Sequence, residues 1–195
     1  MTGNDLRRVL RQAPQEQVAT RGYAAVAAIF DPNLDLLLIR RAHRPGDPWS
    51  EHLAFPGGRV EPDDPSPLQA AIRETAEEVG LDLSDAEPLG QLDDKLAVGG
   101  KPGLVIRPFV FSTPRVRPAL RPNEEVADTF WRPLPTLLSG EGRARMTWRR
   151  GEHELELPCV EFDGQRLWGL TLAMIDDLLH RLDGGGHGLR RGQIP

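Results

Sequence analysis

The chain has 195 residues, 39% of them hydrophobic and 27% charged, the balance of a soluble globular protein with length enough for one domain and a sizeable core. Its 24 Lys and Arg against 29 Asp and Glu leave a formal charge of -5, which argues against a nucleic-acid partner, because such proteins usually carry a basic footprint. No apolar run approaches the roughly 18 residues that a bilayer span requires, the first 20 residues are too charged for a signal peptide, and Cys159 is the only cysteine, so no membrane partner, no intrachain disulfide and a reducing, cytoplasmic setting are expected.

Asp5 to Gln12 places Leu6, Val9 and Leu10 on one face and Arg7, Arg8 and Arg11 elsewhere, an amphipathic helix in an N-terminal extension over residues 1–20. Tyr23 to Phe30 and Leu36 to Arg40 read as strands joined by a turn at Asp31-Pro32-Asn33, a hairpin leading into the middle of the chain. The polar loop from Arg41 to His52 follows, and loops of this kind carry recognition more often than stability. Arg40, Arg41 and Arg44 are candidates to hold phosphate oxygens and Trp49 to stack on a base, with surface ion pairs and a ring packed on the domain as the plainer alternative for each.

Further on, Pro88 to Leu96 and Leu104 to Ser112 read as strands joined by the flexible Gly99 to Gly103, and Thr113 to Pro122 as an extended surface segment. Val126 to Trp131 is another strand, Leu134 to Leu138 a short helix, and Met146 to Arg150 with Glu154 to Glu161 a late hairpin. Cys159 lies in an apolar stretch and suits a small buried role. Leu172, Ile175, Leu178, Leu179 and Leu182 mark an amphipathic helix opened by Thr171, and residues 184–195 a loose tail. The whole, 1–195, reads as one α+β domain, a mixed sheet sandwiched between helices. The apolar face from Leu172 to Leu182 and the N-terminal helix each offer a surface to a second copy, as in a homodimer.

The stretch from Phe55 to Leu81 organises the rest. Ser66 is a good N-cap, Pro67 suits the first helical position, Gln69 completes a capping box, and Gly80 ends the helix. Leu68, Ala71, Ile72, Thr75 and Val79 recur at helical spacing and predict a buried face. Glu74, Glu77 and Glu78, three and four residues apart, meet on the other side. Three carboxylates on two turns repel one another unless a cation lies between them, and hard divalent ions such as Mg²⁺ or Mn²⁺ prefer oxygen donors. A solvated acidic face balanced by Arg73 is the simpler alternative. The preceding Gly57-Gly58 lets backbone approach a metal or a phosphate closely.

These residues resemble the box of the Nudix hydrolases, G-x5-E-x7-R-E-U-x-E-E-x-G-U with U bulky and aliphatic. Gly58 matches the first glycine and Arg73 to Leu81 the second half. The chain departs from it in Asp64 where the first Glu stands, in one extra residue before Arg73, and in Thr75 at an aliphatic position. The resemblance implies a Nudix-type sheet flanked by helices and Mg²⁺- or Mn²⁺-dependent cleavage of a diphosphate in a small-molecule nucleotide. It implies Glu77 and Glu78 as metal ligands with the carbonyl of Gly57, and Glu74 as a further ligand or the general base. Arg73 would orient these carboxylates, and Gly58 would lie against the substrate. Glu125 stands where relatives supply another carboxylate, to position the water or bind a further ion.

Phe55 to Val60, the extra residue and Leu167-Trp168-Gly169-Leu170-Thr171 are similar to the coenzyme A pyrophosphatase branch, which carries an arginine and a glycine where this chain has Asp47 and Glu51. Coenzyme A or an acyl derivative, cut to 3′,5′-ADP and 4′-phosphopantetheine, is the substrate implied. The alternatives are ADP-ribose or a dinucleotide, and a non-catalytic nucleotide-sensing module, which would be free to lose Glu77 or Glu78.

Overall fold

A computed structural model of the protein describes residues 2–10, 22–97, 103–150 and 153–184. Strand β1 (Tyr23–Phe30) is the axis of the fold and is buried on both faces. Its alternation sends Ala25, Ala27 and Ile29 into one core cluster and Ala28 and Phe30 into another, as the two-residue period of a strand requires. β2 (Asp35–Arg41), β3 (Leu53–Ala54), β4 (Gly57–Arg59), β5 (Glu87–Gln91), β6 (Lys95–Leu96), β7 (Val105–Ser112) and β8 (Val126–Pro133) join it. Among the described residues these eight strands form one sheet, with the path β3-β2-β1-β7-β5, β4 also on β1, β6 on β7 and β8 on β2. β1 and β7 run parallel while the other pairs are antiparallel, so the sheet is mixed, as expected.

Helices cover both faces. α2 (Pro67–Val79) packs Ala70, Ala71 and Val79 on Ala25, Ala27, Ile29, Leu37 and Ile39. Small side chains on both partners let helix and sheet approach closely. On the other face, α1 (Gly3–Val9), α3 (Leu134–Ser139) and α4 (Gly169–Leu182) bring Leu6, Leu134, Leu137, Leu172, Ile175 and Leu178 onto Phe30, Leu36 and Leu38. The late hairpin is longer than expected, β9 (Arg143–Arg150) and β10 (His153–Phe162), and β11 (Gln165–Trp168) makes it a second, three-stranded sheet.

Several expectations change. β1 and β2 pair antiparallel, as in a hairpin, but with register only at Phe30 and Leu36; β2 also pairs with β8, and over a longer run, from Asp35↔Pro133 to Arg41↔Val126. The run from Pro88 to Leu96 divides into β5 and β6. α4 begins at Gly169, with Trp168 rather than Thr171 as its cap, and Thr171 is buried within it. The segment 113–122 is pinned, because Asp31 accepts the Arg117 N–H and Asp35 accepts from its guanidinium. Cys159 is buried, as expected.

The two apolar faces offered to a second copy are used inside the chain. Leu6 is 0% exposed and Leu172 1%, and α1 packs on α4. Much of three expected segments lies outside the described residues: residues 1 and 11–20 of the N-terminal extension, 99–102 of the glycine connection and 185–195 of the tail. Among the described residues no helix is long and apolar enough to cross a membrane.

Candidate active site

The site is built where β4 lies along α2. Ser66 Oγ accepts the Gln69 N–H at 3.3 Å, and Gly80, at φ 65°, closes the helix with its N–H on Ala76. Gly57 and Gly58 lie in a short strand, because Val26, Ala25 and Ala24 pair with Gly57, Gly58 and Arg59. That pairing fixes two glycines beside the acidic helix. Gly57, at φ 145°, leaves no room for a side chain: a Cβ there would lie 2.3 Å from the Ala25 carbonyl oxygen. At Gly58 the space is filled by the Glu74 carboxylate, since a Cβ would lie 2.4 Å from its Cδ.

The three glutamates therefore do not share one environment. Glu78 is only 3% exposed, and its Oε2 accepts the Gly57 N–H at 2.8 Å. Burial pushes its carboxyl up to about 7, against the pull of that N–H; Glu74 and Glu125 push it further and Arg41 opposes them. Glu74 is half-buried against Gly58, and burial raises its carboxyl too, with Arg73 working the other way. Glu77 is the exposed member, 54% open at its side chain and bonded to Arg73 at 3.1 Å.

Arg73 bridges Asp64 to Glu74 and Glu77. Its Nε and Nη2 each donate to an Asp64 oxygen at 3.0 Å, Nη2 also reaches the Arg59 carbonyl at 3.2 Å, and Nη1 meets Glu74 and Glu77 at 3.1 Å. Such a two-pronged pair fixes direction as well as charge. Bonding to Arg73 keeps the Asp64 carboxyl below its usual range, and Asp64 pushes the Arg73 guanidinium above its own. The sequence showed Asp64 as a departure from the box. Its spacing from Gly58 was the available signal, and the extra residue before Arg73 is absorbed in the loop.

Glu125 does reach this group. The segment before β8 is tied to the end of α2, with Arg121 N–H on Val79 O at 2.7 Å and Asn123 N–H on Glu78 O at 2.9 Å, while Ala42 N–H bonds the Glu125 carbonyl at 2.8 Å. Glu125 Oε1 accepts from Arg44 at 3.2 Å, and its charge is felt by both Glu74 and Glu78. Arg41 and Arg44 thus stand with the carboxylates. Arg40 does not share their contacts; its guanidinium lies 3.9 Å from Asp128 on β8. Trp49 is engaged through its backbone, its N–H on Asp47 Oδ1 and its carbonyl accepting from His52. The ring that meets a neighbour edge-on is His52, against Trp168 at 4.6 Å, a contact that ties the loop to the start of α4.

Among the described residues no three Asp, Glu, His or Cys side chains stand as a ready-made metal cluster. The chemistry of the donors nonetheless fits a hard divalent ion. Glu74 and Glu78 offer oxygen only, both have carboxyl groups raised by burial, and Glu125 adds repulsion that a cation would relieve.

The NUDIX domain model matches residues 20–152. The chain is 32% identical over 165 residues to the uncharacterised Nudix hydrolase NudL of Yersinia pestis, covering 83% of this chain and 79% of that one. It is 43% identical over 117 residues to an uncharacterised protein of Schizosaccharomyces pombe, a match spanning 57% of this chain but only 35% of the longer yeast protein. Among solved structures it is similar to the MutT protein of Methanosarcina mazei, with a TM-score of 0.50, 18% identity and coverage of 85% and 95%. It is also similar to the NUDIX domain of Shewanella oneidensis NrtR complexed with ADP ribose, with a TM-score of 0.52, 17% identity and coverage of 87% and 94%. At those identities the structural likeness speaks to the fold alone.

Proposed function

The chain belongs to the NUDIX domain family and is a hydrolase of phosphorus-containing anhydrides, and from that premise we propose that it cleaves the diphosphate of a nucleoside diphosphate linked to another group, with coenzyme A or an acyl-coenzyme A as the first substrate to try. The observation that carries the reading is a buried and a half-buried glutamate set against two glycines, Glu78 on the Gly57 N–H and Glu74 against Gly58. A surface acidic helix would leave such carboxylates in water.

Glu78 and Glu74, joined by Glu77 and the Gly57 carbonyl, would hold Mg²⁺ or Mn²⁺. When bound, the ion supplies Lewis-acid chemistry, acidifying a water and neutralising charge on the diphosphate oxygens. The chain's own residues do the rest. Arg73, locked by Asp64, keeps Glu74 and Glu77 in position. Glu74, half-buried with its proton affinity raised by burial, serves as a further ligand or as the general base, and Glu125 positions the water or binds a further ion. Gly58, with no side chain, makes room for the Glu74 carboxylate against β4. Arg41 and Arg44 bring positive charge to the phosphate oxygens, with Arg40 further along β2, and Trp49 is the ring in the loop available to a base.

NrtR's NUDIX domain was solved with ADP ribose, which makes ADP-ribose the natural second substrate in a panel. Phosphate-containing products should be measured for coenzyme A, an acyl-coenzyme A, ADP-ribose and a dinucleotide, with Mg²⁺ or Mn²⁺ and with chelator. Release of 3′,5′-ADP and 4′-phosphopantetheine supports the coenzyme A reading. Fast cleavage of another member without those products sinks the substrate assignment. Binding with no metal-dependent turnover of any member sinks the enzyme itself in favour of a sensing module.

A further inference from the structure

The loop from Arg41 to His52 is folded around one carboxylate. Asp47 Oδ2 accepts from Arg41 Nη2 at 2.7 Å and Oδ1 accepts the Trp49 N–H at 3.0 Å. Its backbone closes the turn on both sides, N–H to the Arg44 carbonyl and carbonyl from the Ser50 N–H, each at 3.1 Å. The Asp47 side chain is 13% exposed and that of Arg41 28%. This is therefore not an ordinary surface pair, which contributes little. Burial works against a charged Asp47, yet the bonds from Arg41 and the Trp49 N–H outweigh it and hold the carboxyl below its usual range.

Arg41 is placed with equal care. It ends β2 at an irregularity between Arg40 and Arg41 in the pairing with β8, which departs from simple alternation just where the chain leaves the sheet. Its N–H is held by the His52 carbonyl, and the next residue bonds the Glu125 carbonyl. The guanidinium is bound through Nη2 to Asp47, its Nε is buried with no hydrogen-bond partner among the described residues, and its charge pulls the Glu78 carboxyl down. A planar guanidinium fixed by one carboxylate keeps other N–H donors in a set direction, which suits a phosphate oxygen better than a freely rotating cation would.

We propose that Asp47 is a positioning residue for substrate: by holding Arg41 Nη2 and closing the turn from Arg44 to Ser50, it fixes the Arg41 guanidinium at the end of β2, where it receives a phosphate of the diphosphate. Both oxygens of Asp47 are engaged and Arg41 offsets its charge, which weakens its repulsion of an incoming anion. Pre-positioning of this kind acts chiefly on binding, because the side chain is ordered before the ligand arrives.

The inference rests on the reading of this cleft as the diphosphate site, and its test uses binding as well as turnover. α,β-Methylene-ADP, a diphosphate with carbon in place of the bridging oxygen, is titrated calorimetrically in Mg²⁺ into the wild type, Asp47→Asn, Asp47→Glu, Arg41→Lys, Arg41→Ala and the double variant Asp47→Asn/Arg41→Ala. Asp47→Asn is expected to weaken probe binding about tenfold, with the larger part of any kinetic loss in KM. Asp47→Glu recovers part of it. Arg41→Lys, which keeps a cation for Asp47 but loses the planar fork, also weakens binding. The double variant is no worse than Arg41→Ala, because removing Arg41 leaves Asp47 nothing to position. Wild-type affinity in Asp47→Asn, additive losses in the double variant, or a wild type that fails to bind the probe would each overturn the proposal. A wild type that binds the probe and turns over no substrate refutes the hydrolase chemistry, and the variants still decide the role of Asp47.

Discussion

Adjacent glycines with opposite reasons for being glycine give the sharpest test of the site. In Gly58→Ala, the new methyl would lie 2.4 Å from Cδ of Glu74 and 2.4 and 2.5 Å from its two oxygens. An ordinary contact needs about 3.4 Å or more, so the carboxylate must move by about 1 Å. Glu74 ends a flexible side chain, and the move should leave the fold intact with a stability loss of about 1 kcal/mol or less. A displacement of that size at a reacting centre can cost about 100-fold in rate, and that is the loss in kcat expected, read in a metal-dependent phosphate-release assay. Gly57→Ala is the control. There the methyl meets backbone, Ala25 O at 2.3 Å and Val26 Cα at 2.5 Å, at φ 145°; the strain is of order 1–3 kcal/mol before the clash is counted, so this variant should melt markedly earlier. Thermal melting beside kinetics separates the two. If Gly58→Ala keeps wild-type kcat, Glu74 has no place in catalysis and the geometry of the site has been misread.

Glu78→Gln should abolish turnover and keep the fold, since the amide can still accept the Gly57 N–H. In the wild type, added Mg²⁺ or Mn²⁺ should raise the melting temperature, and in Glu78→Gln this shift should shrink; an equal shift in both would remove Glu78 from the ion's ligands. The same pair of proteins, freed of metal, tests the pH dependence. The Glu78 carboxyl is raised in the folded state to about 7 from an ordinary 4.5, so the native state binds the extra proton, and the stability this contributes is complete below 4.5 and lost as pH rises through 7. The loss is about 3 kcal/mol; Glu78→Gln should therefore gain on the wild type across that window, and parallel melting curves would contradict the burial argument. Asp64→Asn removes the charge beneath Arg73 and one of two bonds at 3.0 Å. It should lower kcat about tenfold and stability by about 1–2 kcal/mol, and unchanged kinetics would make the Asp64–Arg73 pair structural only.

What could be read in the chain, and what could not, divides along the range of the forces involved. The helix α2 was legible to the residue, because Ser66, Pro67 and Gly80 act on their own neighbours, and the sandwich followed from the succession of strands and helices along the chain, with the acidic helix in the middle. The identity of β4 was hidden. Two glycines have no side chains to alternate, and only β1, some thirty residues earlier, makes a strand of them. The pairing of β2 with β8 is equally remote, and local pattern favoured its neighbour β1. At the site, Glu74, Glu77 and Glu78 are equal as letters and at helical spacing. Their burial differs because α2 lies on its Ala70–Ala71–Val79 face, which turns Glu78 in against β4 and leaves Glu77 in water. The same distinction applies to the loop. Asp47 looked like a lost cation when compared with a motif, and in the fold it is the group on which another cation is set. A charge in a loop thus has no readable sign of effect until its partner is known, whereas a capping residue carries its partner within three positions.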